Sequence, residues 1–321
     1  MEKTKENNPE GKLPEKFLER LRLQFPDHFR QIRSTFVRRP PAIRVNTLLT
    51  PSADLRKRLE TQGIKLKSYP ALANAFIVVN TDRKAITATS EYEQGLIYIQ
   101  SIASQLIVRA LDPQPGERVL DMCAAPGSKT SQMAILMKTE GELVANDQKE
   151  KRIYRLRNVL RHQRVDDFVT VKNYPGQNYP KHFPAYFDRV LVDTTCSSEA
   201  TFIEGERKSL QYWSHHKVKN SARIQRKLLV CGWECLKPGG TLVYSTCTLS
   251  PEENEVLLSK FLAKHPEAQV QPLRWKGIKT LPIADEWQGK PLDPQVQFAL
   301  RLMPTKEVEG FFMARIRKEL R

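Results

Sequence analysis

A chain of 321 residues, 40% hydrophobic and 27% charged, has the makeup of a folded globular protein of one or two domains. No apolar run approaches the ~20 residues that cross a bilayer, and Met1–Glu15 is polar, mixed in charge and without the apolar core of a secretory signal; neither a spanning helix nor a leader is expected, and the cytoplasm is the expected location. Lys and Arg number 52 against 36 Asp and Glu, a net charge of +16, and such an excess attracts polyanions, nucleic acid before an anionic membrane.

In chain order, the pattern of Phe17, Leu18, Leu21, Leu23 and Phe25 predicts an amphipathic helix over Glu15–Phe36, ended by Arg39-Pro40-Pro41. Ile43–Thr47 alternates like a strand, Ser52–Thr61 reads as a helix opened by a polar cap, and Ala75–Val79 is a second strand. An apolar helix follows over Tyr98–Leu111. Residues 1–100 thus read as a small α+β module, its first ~12 residues expected to be flexible.

From Glu117 the rhythm changes. Strands are expected at Arg118–Cys123, Glu142–Asn146, Phe168–Lys172, Phe187–Asp193 and Thr241–Cys247. Between them fall helices running to Lys138, over Lys149–His162 and over Val218–Leu236, the last closed by Lys237-Pro238-Gly239-Gly240. A helix over Pro251–Lys264 and an antiparallel pair, Phe298–Met303 with Phe311–Ile316, complete the chain. Such alternation predicts a mostly parallel α/β sheet covered on both faces, occupying residues 101–321.

Ligands of an open α/β sheet bind beyond the carboxyl ends of its strands. Asp121–Thr130 lies at such an end, with small residues that permit close approach and a helix N-terminus that favours negative charge. It is neither a P-loop, which needs GxxxxGK[ST], nor a GxGxxG dinucleotide turn. Asp147, at the end of the second strand, can accept from both hydroxyls of a ribose. Loop and acid together fit a nucleoside cofactor without a pyrophosphate; the structural alternative is a tight turn and a helix cap.

The five cysteines are Cys123, Cys196, Cys231, Cys235 and Cys247. Their number is odd, none is spaced as CxxC and no histidine stands beside them at zinc-finger spacing, so neither a disulfide framework nor a metal site is expected. Cys231 and Cys235 read as core packing. Cys196 and Cys247 both follow strands, at the edge where ligands bind. A thiolate there can add to carbon 6 of a pyrimidine and make carbon 5 nucleophilic, with Asp193 positioned as acid or acceptor at the base edge. Inert packing is the other reading of either cysteine.

With these residues in view, the chain resembles the Sun-type RNA cytosine-5 methyltransferases (the RsmB/NOP family) over nearly its whole length. The resemblance is carried by Ile43-Arg44-Val45-Asn46-Thr47-Leu48, Gly95-Leu96-Ile97-Tyr98-Ile99-Gln100, Asp121–Thr130, Tyr244-Ser245-Thr246-Cys247-Thr248, Ser250–Glu255 and Gly310-Phe311-Phe312. It implies a Rossmann-like class I methyltransferase domain behind an N-terminal RNA-contact module. S-adenosyl-L-methionine is the implied cofactor, wrapped by Cys123, Ala124, Ala125, Pro126, Gly127, Ser128 and Lys129, its ribose on Asp147 with Arg152 in support. Cys247 matches the family's nucleophile, Cys196 its second cysteine, associated with breakdown of the covalent RNA adduct, and Asp193 and Lys129 polar residues of the reaction site.

The implied partner is RNA, ribosomal first and transfer RNA next, with no membrane and a monomer as the simplest state. The basic run Lys149–Arg164 divides between solvated face and RNA contact. Two rival functions are a catalytically silent RNA-binding or ribosome-assembly factor of the same fold and a DNA cytosine methylase. The sequence departs from the family at three positions. Pro175 replaces an aspartate that accepts from the adenine amine, a bond worth roughly 0.5–1.5 kcal/mol. Thr195 replaces a proline before the cysteine, which is expected to loosen that loop, and Ser198 replaces a glycine.

Overall fold

Short apolar runs need a partner on each face, and the chain supplies it with two sheets and their covering helices. The computed structural model describes residues 11–320. Residues 1–10 of the segment expected to be flexible lie outside the described residues; Gly11 accepts from the Gly205 amide at 2.8 Å and Leu13 is buried.

Near the N-terminus, β1 (Ala42–Val45), β2 (Leu66–Tyr69), β3 (Leu72–Val78) and β4 (Ile97–Ile99) form an antiparallel sheet in the order β2-β3-β1-β4. Leu55 and Leu59 of the helix Ser52–Thr61 pack on Ile43, Val45, Phe76 and Val78 of this sheet. That helix has the predicted span but not the predicted polar cap: Pro51 occupies the cap position and no side chain bonds there. The apolar helix predicted from Tyr98 starts at Ile102, where Ser101 caps it by accepting from Ser104. Tyr98 instead pairs with Arg44 across β1 and β4.

The first predicted helix breaks in two because Pro26 lacks an amide to continue the ladder. Its parts are α1 (Glu15–Gln24) and a short helix, Phe29–Arg33, after a 3-10 turn. The apolar face of α1 does not cover the N-terminal sheet. Phe17, Leu18, Leu21 and Phe25 pack instead with Ala200, Phe202, Leu249 and Met303, residues of the loops that carry the two cysteines and of the closing antiparallel pair.

The large sheet is the α/β arrangement that the alternation predicts. Its parallel strands are β5 (Arg118–Asp121), β6 (Glu142–Asn146), β7 (Val169–Lys172), β8 (Phe187–Asp193) and β9 (Leu236–Thr246), in the order β9-β8-β5-β6-β7. Four antiparallel strands extend it: β10 (Ala268–Gln271), β11 (Thr280–Leu281), β12 (Leu300–Leu302) and β13 (Phe311–Lys318), with β13 beside β9. One face is covered by α2 (Ile102–Leu111), α3 (Ser128–Leu136) and α4 (Glu150–His162), the other by α5 (His215–Cys235) and α6 (Glu255–Leu262). Lys237-Pro238-Gly239-Gly240 does not stop the chain before β9. The strand begins at Leu236 opposite Phe187, and the register next recorded is Thr241 opposite Arg189, so the four residues are absorbed as an irregularity in the ladder.

Among the described residues no helix is long and apolar enough to cross a membrane.

Candidate active site

β5 delivers Asp121 to the carboxyl edge of the sheet, and the chain turns through Met122–Gly127 into α3. Gly127 has φ +110, and a Cβ there would meet Leu156 at 3.0 Å and Val159 at 3.2 Å, so the turn needs glycine for its backbone and for its fit against α4. Asp121 is buried and accepts from Thr130 Oγ1 at 2.7 Å. Burial pushes its carboxyl up to about 7.

The loop encloses a cavity lined by Asp121, Cys123, Ala124, Ala125, Pro126, Ser128, Lys129, Arg152, Asp193, Thr194 and Thr195. Of the residues singled out for a cofactor, Gly127 and Asp147 alone are missing from this wall. Gly127 forms the turn behind it. Asp147 follows β6, 2% exposed at its side chain, with Oδ1 accepting the Lys149 amide at 3.0 Å. Its Oδ2 lies 3.0 Å from Arg152 Nη1 but is buried without a hydrogen bond. Arg152 also donates to the Ala125 carbonyl, joining Asp147 to the loop. Thr194 Oγ1 is a second buried oxygen without a partner. An unpaired buried oxygen is costly, and Thr194 Oγ1, a residue of the cavity wall, leaves bonding capacity for a polar ligand. Cys123 adds none of the charge: burial, then the field of Asp121, Asp193 and Asp147, drives its thiol well up, so it stays neutral.

Lys129 crosses the cavity floor. Its Nζ pairs with Asp193 Oδ2 at 2.7 Å, while Asp193 Oδ1 accepts from Ser245 Oγ at 2.7 Å. Burial opposes the charge on Lys129, but Asp193 and then Asp121 outweigh it and hold the ammonium above its usual range. Asp193 therefore ties the cofactor-side loop to β9, two residues before Cys247.

β8 and β9 are neighbours, paired as far as Asp193 opposite Ser245. This adjacency brings the cysteines together: Cys196 Sγ lies 3.1 Å from Cys247 Sγ, and Ser198 Oγ is 3.8 Å from each sulfur. Both are free thiols. Cys196 is buried and Cys247 half-buried. The hydrogen bond with Cys247, then burial, raises the Cys196 thiol far above its ordinary value. Two thiolates in contact would repel strongly, so Cys196 is the protonated member.

Comparison with known proteins now adds to this geometry. A family model described as 16S rRNA methyltransferase RsmB/F matches residues 108–317, and one described as the N-terminal domain of 16S rRNA methyltransferase RsmF matches residues 13–102. The chain belongs to the RsmB/F methyltransferase family. A tRNA (cytosine(49)-C(5))-methyltransferase of Pyrococcus abyssi is 36% identical over 87% of this chain and 88% of its own length. The ribosomal RNA small subunit methyltransferase F of Klebsiella pneumoniae is 34% identical over 95% of this chain. The matched region is 63% of that protein, so this chain spans under two thirds of its length. A crystallographic methyltransferase homolog from Pyrococcus horikoshii superposes with a TM-score of 0.84 at 34% identity, covering 95% of both chains.

Within this RsmB/F member the three departures have visible surroundings. The Pro175 segment is pinned through backbone and amide groups: Asn173 Nδ2 donates to the Asp147 carbonyl at 2.6 Å, and Asn146 accepts from the Tyr174 amide at 3.0 Å. The Thr195 carbonyl accepts from Gln225 Nε2 of α5 at 3.1 Å, which anchors the loop without a proline. Ser198 has φ +62, in the left-handed region that favours glycine.

Sequence reasoning missed three buried polar residues around this RsmB/F site. Glu199 and Glu253 sit under the cysteine loops, and burial pushes Glu253 up to about 7. Arg44 of β1, 3% exposed, donates to Gln100, Ser131, Gln163 and the Ser128 carbonyl in the first turn of α3. Arg44 and Glu253 fall within segments that carry the family resemblance, but nothing local in the sequence shows that any of the three is buried; each bonds partners distant in sequence.

Proposed function

We propose that this chain methylates carbon 5 of a cytosine in RNA, using S-adenosyl-L-methionine, with Cys247 as nucleophile and Cys196 as the group that assists release. The observation that carries the reading is the contact of two free thiols, 3.1 Å apart, at adjacent strand ends and beside the cavity at the end of β5. Lys129, Asp193, Asp147 and both cysteines are all retained around one sheet edge, which favours an active enzyme over a silent assembly factor.

The residues fit the cofactor. Thr194 Oγ1 is a buried oxygen lacking a hydrogen bond, and Asp147, held by its ion pair with Arg152, presents a carboxylate; the two are suited to a cationic amine and ribose hydroxyls. The N-terminus of α3 after Gly127 suits a carboxylate. Cys123, Ala124, Ala125, Pro126 and Ser128 form the wall, and Arg152 supports Asp147. Bound there, S-adenosyl-L-methionine supplies an activated methyl group.

Carbon 5 of cytosine is too weak a nucleophile to take that methyl directly. Cys247 adds its sulfur to carbon 6, the displaced electron pair makes carbon 5 enamine-like, and Asp193 holds the base edge. Lys129 keeps Asp193 in place through the 2.7 Å ion pair. After the new C–C bond forms, a base takes the proton from carbon 5 and the C–S bond breaks, returning the Cys247 thiolate. Cys196, kept protonated against Cys247, is placed to assist that departure. The cytosine must be unpaired or flipped out to meet Cys247.

Ribosomal RNA is the first candidate substrate and transfer RNA the second. The net charge of +16 and the exposed Arg155, Arg157, Arg161 and Arg164 support phosphate contacts, so affinity should fall steeply with salt. Residues 1–100 would form the RNA-contact module and 101–321 the catalytic domain. A single chain supplies every group invoked, which supports a monomer, and the need for free thiols supports a reducing compartment such as the cytoplasm.

The test is transfer of labelled methyl to unmodified ribosomal and transfer RNA by wild type and Cys247→Ala, with the product nucleoside identified. The proposal expects 5-methylcytosine from wild type alone. Equal turnover by Cys247→Ala, or a different methylated nucleoside, would overturn it.

A further inference from the structure

β8 and β9 stop pairing at Asp193 and Ser245, three and two residues before the cysteines; β13 holds β9 as far as Thr246, but among the described residues no ladder ties the Cys196 loop to the Cys247 loop. Something else must hold two loops so that their sulfurs meet. Apart from the sulfur contacts themselves, the described residues show two direct links: the Ala200 amide donates to the Cys247 carbonyl at 3.2 Å, and the Ser197 and Thr248 hydroxyls are 2.6 Å apart. The remaining bonds between the loops run through two buried carboxylates.

Glu199 belongs to the Cys196 loop but bonds the Cys247 loop. It accepts from Thr248 Oγ1 at 2.9 Å, the Leu249 amide at 3.2 Å and Ser250 Oγ at 2.8 Å. Trp213 Nε1 donates to it at 2.8 Å. Glu253 follows the Cys247 loop but bonds the Cys196 loop: it accepts from the Ser197 amide at 3.1 Å, and from Gln225 Nε2 at 2.7 Å. The two are 2% and 0% exposed, and among the described residues neither has a salt-bridge partner. A carboxylate buried without a cation is expensive, and its use here has a chemical reason. Glu199 takes four donors across its two oxygens and Glu253 takes the Ser197 amide and Gln225; an amide of the same shape has one accepting oxygen and would turn its NH2 toward some of these donors.

We propose that Glu199 and Glu253 are positioning residues for the methyl-transfer reaction, each contributed by one cysteine's loop and each holding the loop of the other. Glu199 fixes the nucleophile Cys247, and Glu253 fixes Cys196. This rests on the cysteine roles proposed above, so the experiment includes a readout that needs neither RNA nor cofactor.

That readout is the rate at which the diazene oxidant diamide joins Cys196 to Cys247. Each thiol gives up a proton and an electron, the S–S bond forms, and the diazene is reduced to the hydrazine. Peptide mapping distinguishes this disulfide from any involving Cys123, Cys231 or Cys235. Glu199→Gln and Glu253→Gln preserve volume, and each should slow the reaction about tenfold by loosening one loop. With RNA and S-adenosyl-L-methionine the two variants should then diverge. Glu199→Gln should form the denaturant-resistant RNA adduct on the order of 100-fold more slowly, whereas Glu253→Gln should form it readily and accumulate it.

Wild-type disulfide rates in both variants would overturn the proposal. So would equal losses of adduct formation and release in both, which is what general loosening of the fold would give. If Cys247→Ala still forms the adduct, the cysteine roles fail while the oxidation result still judges the brace. Should either glutamine variant fail to fold, Thr248→Val removes the hydroxyl shared by Glu199 and Ser197 and must slow the disulfide rate in the same direction.

Discussion

Replacing Arg44 with methionine probes how the N-terminal sheet is fastened to the catalytic loop. The guanidinium reaches Gln100 Oε1 at 2.6 Å, the Ser128 carbonyl at 2.7 Å, Ser131 Oγ at 2.9 Å and Gln163 Oε1 at 3.1 Å. Burial pulls its pKa down to about 9, so it is charged at neutral pH. Methionine fills the stem and leaves those four acceptors without their donor. At about 1 kcal/mol for each net bond the gross loss is roughly 4 kcal/mol. Removing a buried charge that has no carboxylate partner returns part of this, leaving a net destabilisation of about 2–3 kcal/mol. For a chain of this size that lowers Tm by about 3–5 °C. Because Ser128 opens α3 and lines the cavity, affinity for S-adenosyl-L-methionine should also fall, by about tenfold. Arg44→Lys, with one ammonium in place of the planar fork, should be intermediate. Urea and thermal unfolding with a calorimetric cofactor titration measure both quantities. An Arg44→Met protein with wild-type Tm and wild-type affinity would refute the reasoning, since the four bonds would then carry nothing.

Asp147→Ala should weaken S-adenosyl-L-methionine at least tenfold with RNA affinity unchanged, because it removes the acid proposed to hold the ribose and the ion-pair partner of Arg152, a residue of the cavity wall; a filter-binding and calorimetry pair checks it, and parallel loss of both affinities counts against the assignment. Asp121, raised by burial to about 7 from about 4 when unfolded, binds more protons in the native state between those values. Its contribution is therefore full below pH ~4 and lost as pH rises to about 7. Asp121→Asn, neutral throughout, should flatten unfolding free energy against pH across that window, and an unchanged slope in urea titrations at several pH values sinks the claim. Ser198→Gly should stabilise the chain by about 1 kcal/mol by relieving its positive φ; a lower Tm would mean that the Ser198 hydroxyl beside the two sulfurs outweighs the backbone.

What could be read in the chain divides by the range of the contacts involved. The parallel sheet was legible because each strand from β5 to β9 is a short apolar run between helices, and burial on both faces demands that pattern. The loop Asp121–Gly127 was legible because small residues at a strand end have few other uses, and the cysteines because each follows a strand. Their contact was not legible. It exists because β8 lies between β5 and β9, a strand order that composition does not specify. The same limit explains α1: its apolar face is plain in Phe17, Leu18 and Leu21, yet the surface it covers comes from Ala200, Phe202, Leu249 and Met303, nearly 200 residues or more away in the chain.

Arg44, Glu199 and Glu253 are the sharper case, because sequence reading places charged residues on the surface. Arg44 stands in a strand that alternates in polarity, which suggests one wet face, but all four residues of β1 are buried. Glu199 and Glu253 fall in polar loop segments, where an acid is normally solvated. Burying them costs free energy, and the fold recovers it only by giving their oxygens donors from segments that must themselves be held in place. All three exceptions lie around the carboxyl edge of one sheet: one beside the cofactor loop, two bridging the loops that carry the cysteines. A chain optimised for stability alone would have filled these positions with apolar side chains. Their clustering where a thiolate, a base and a methyl donor must meet within fractions of an ångström therefore argues that geometry at the reacting atoms, more than folding, accounts for the buried charge.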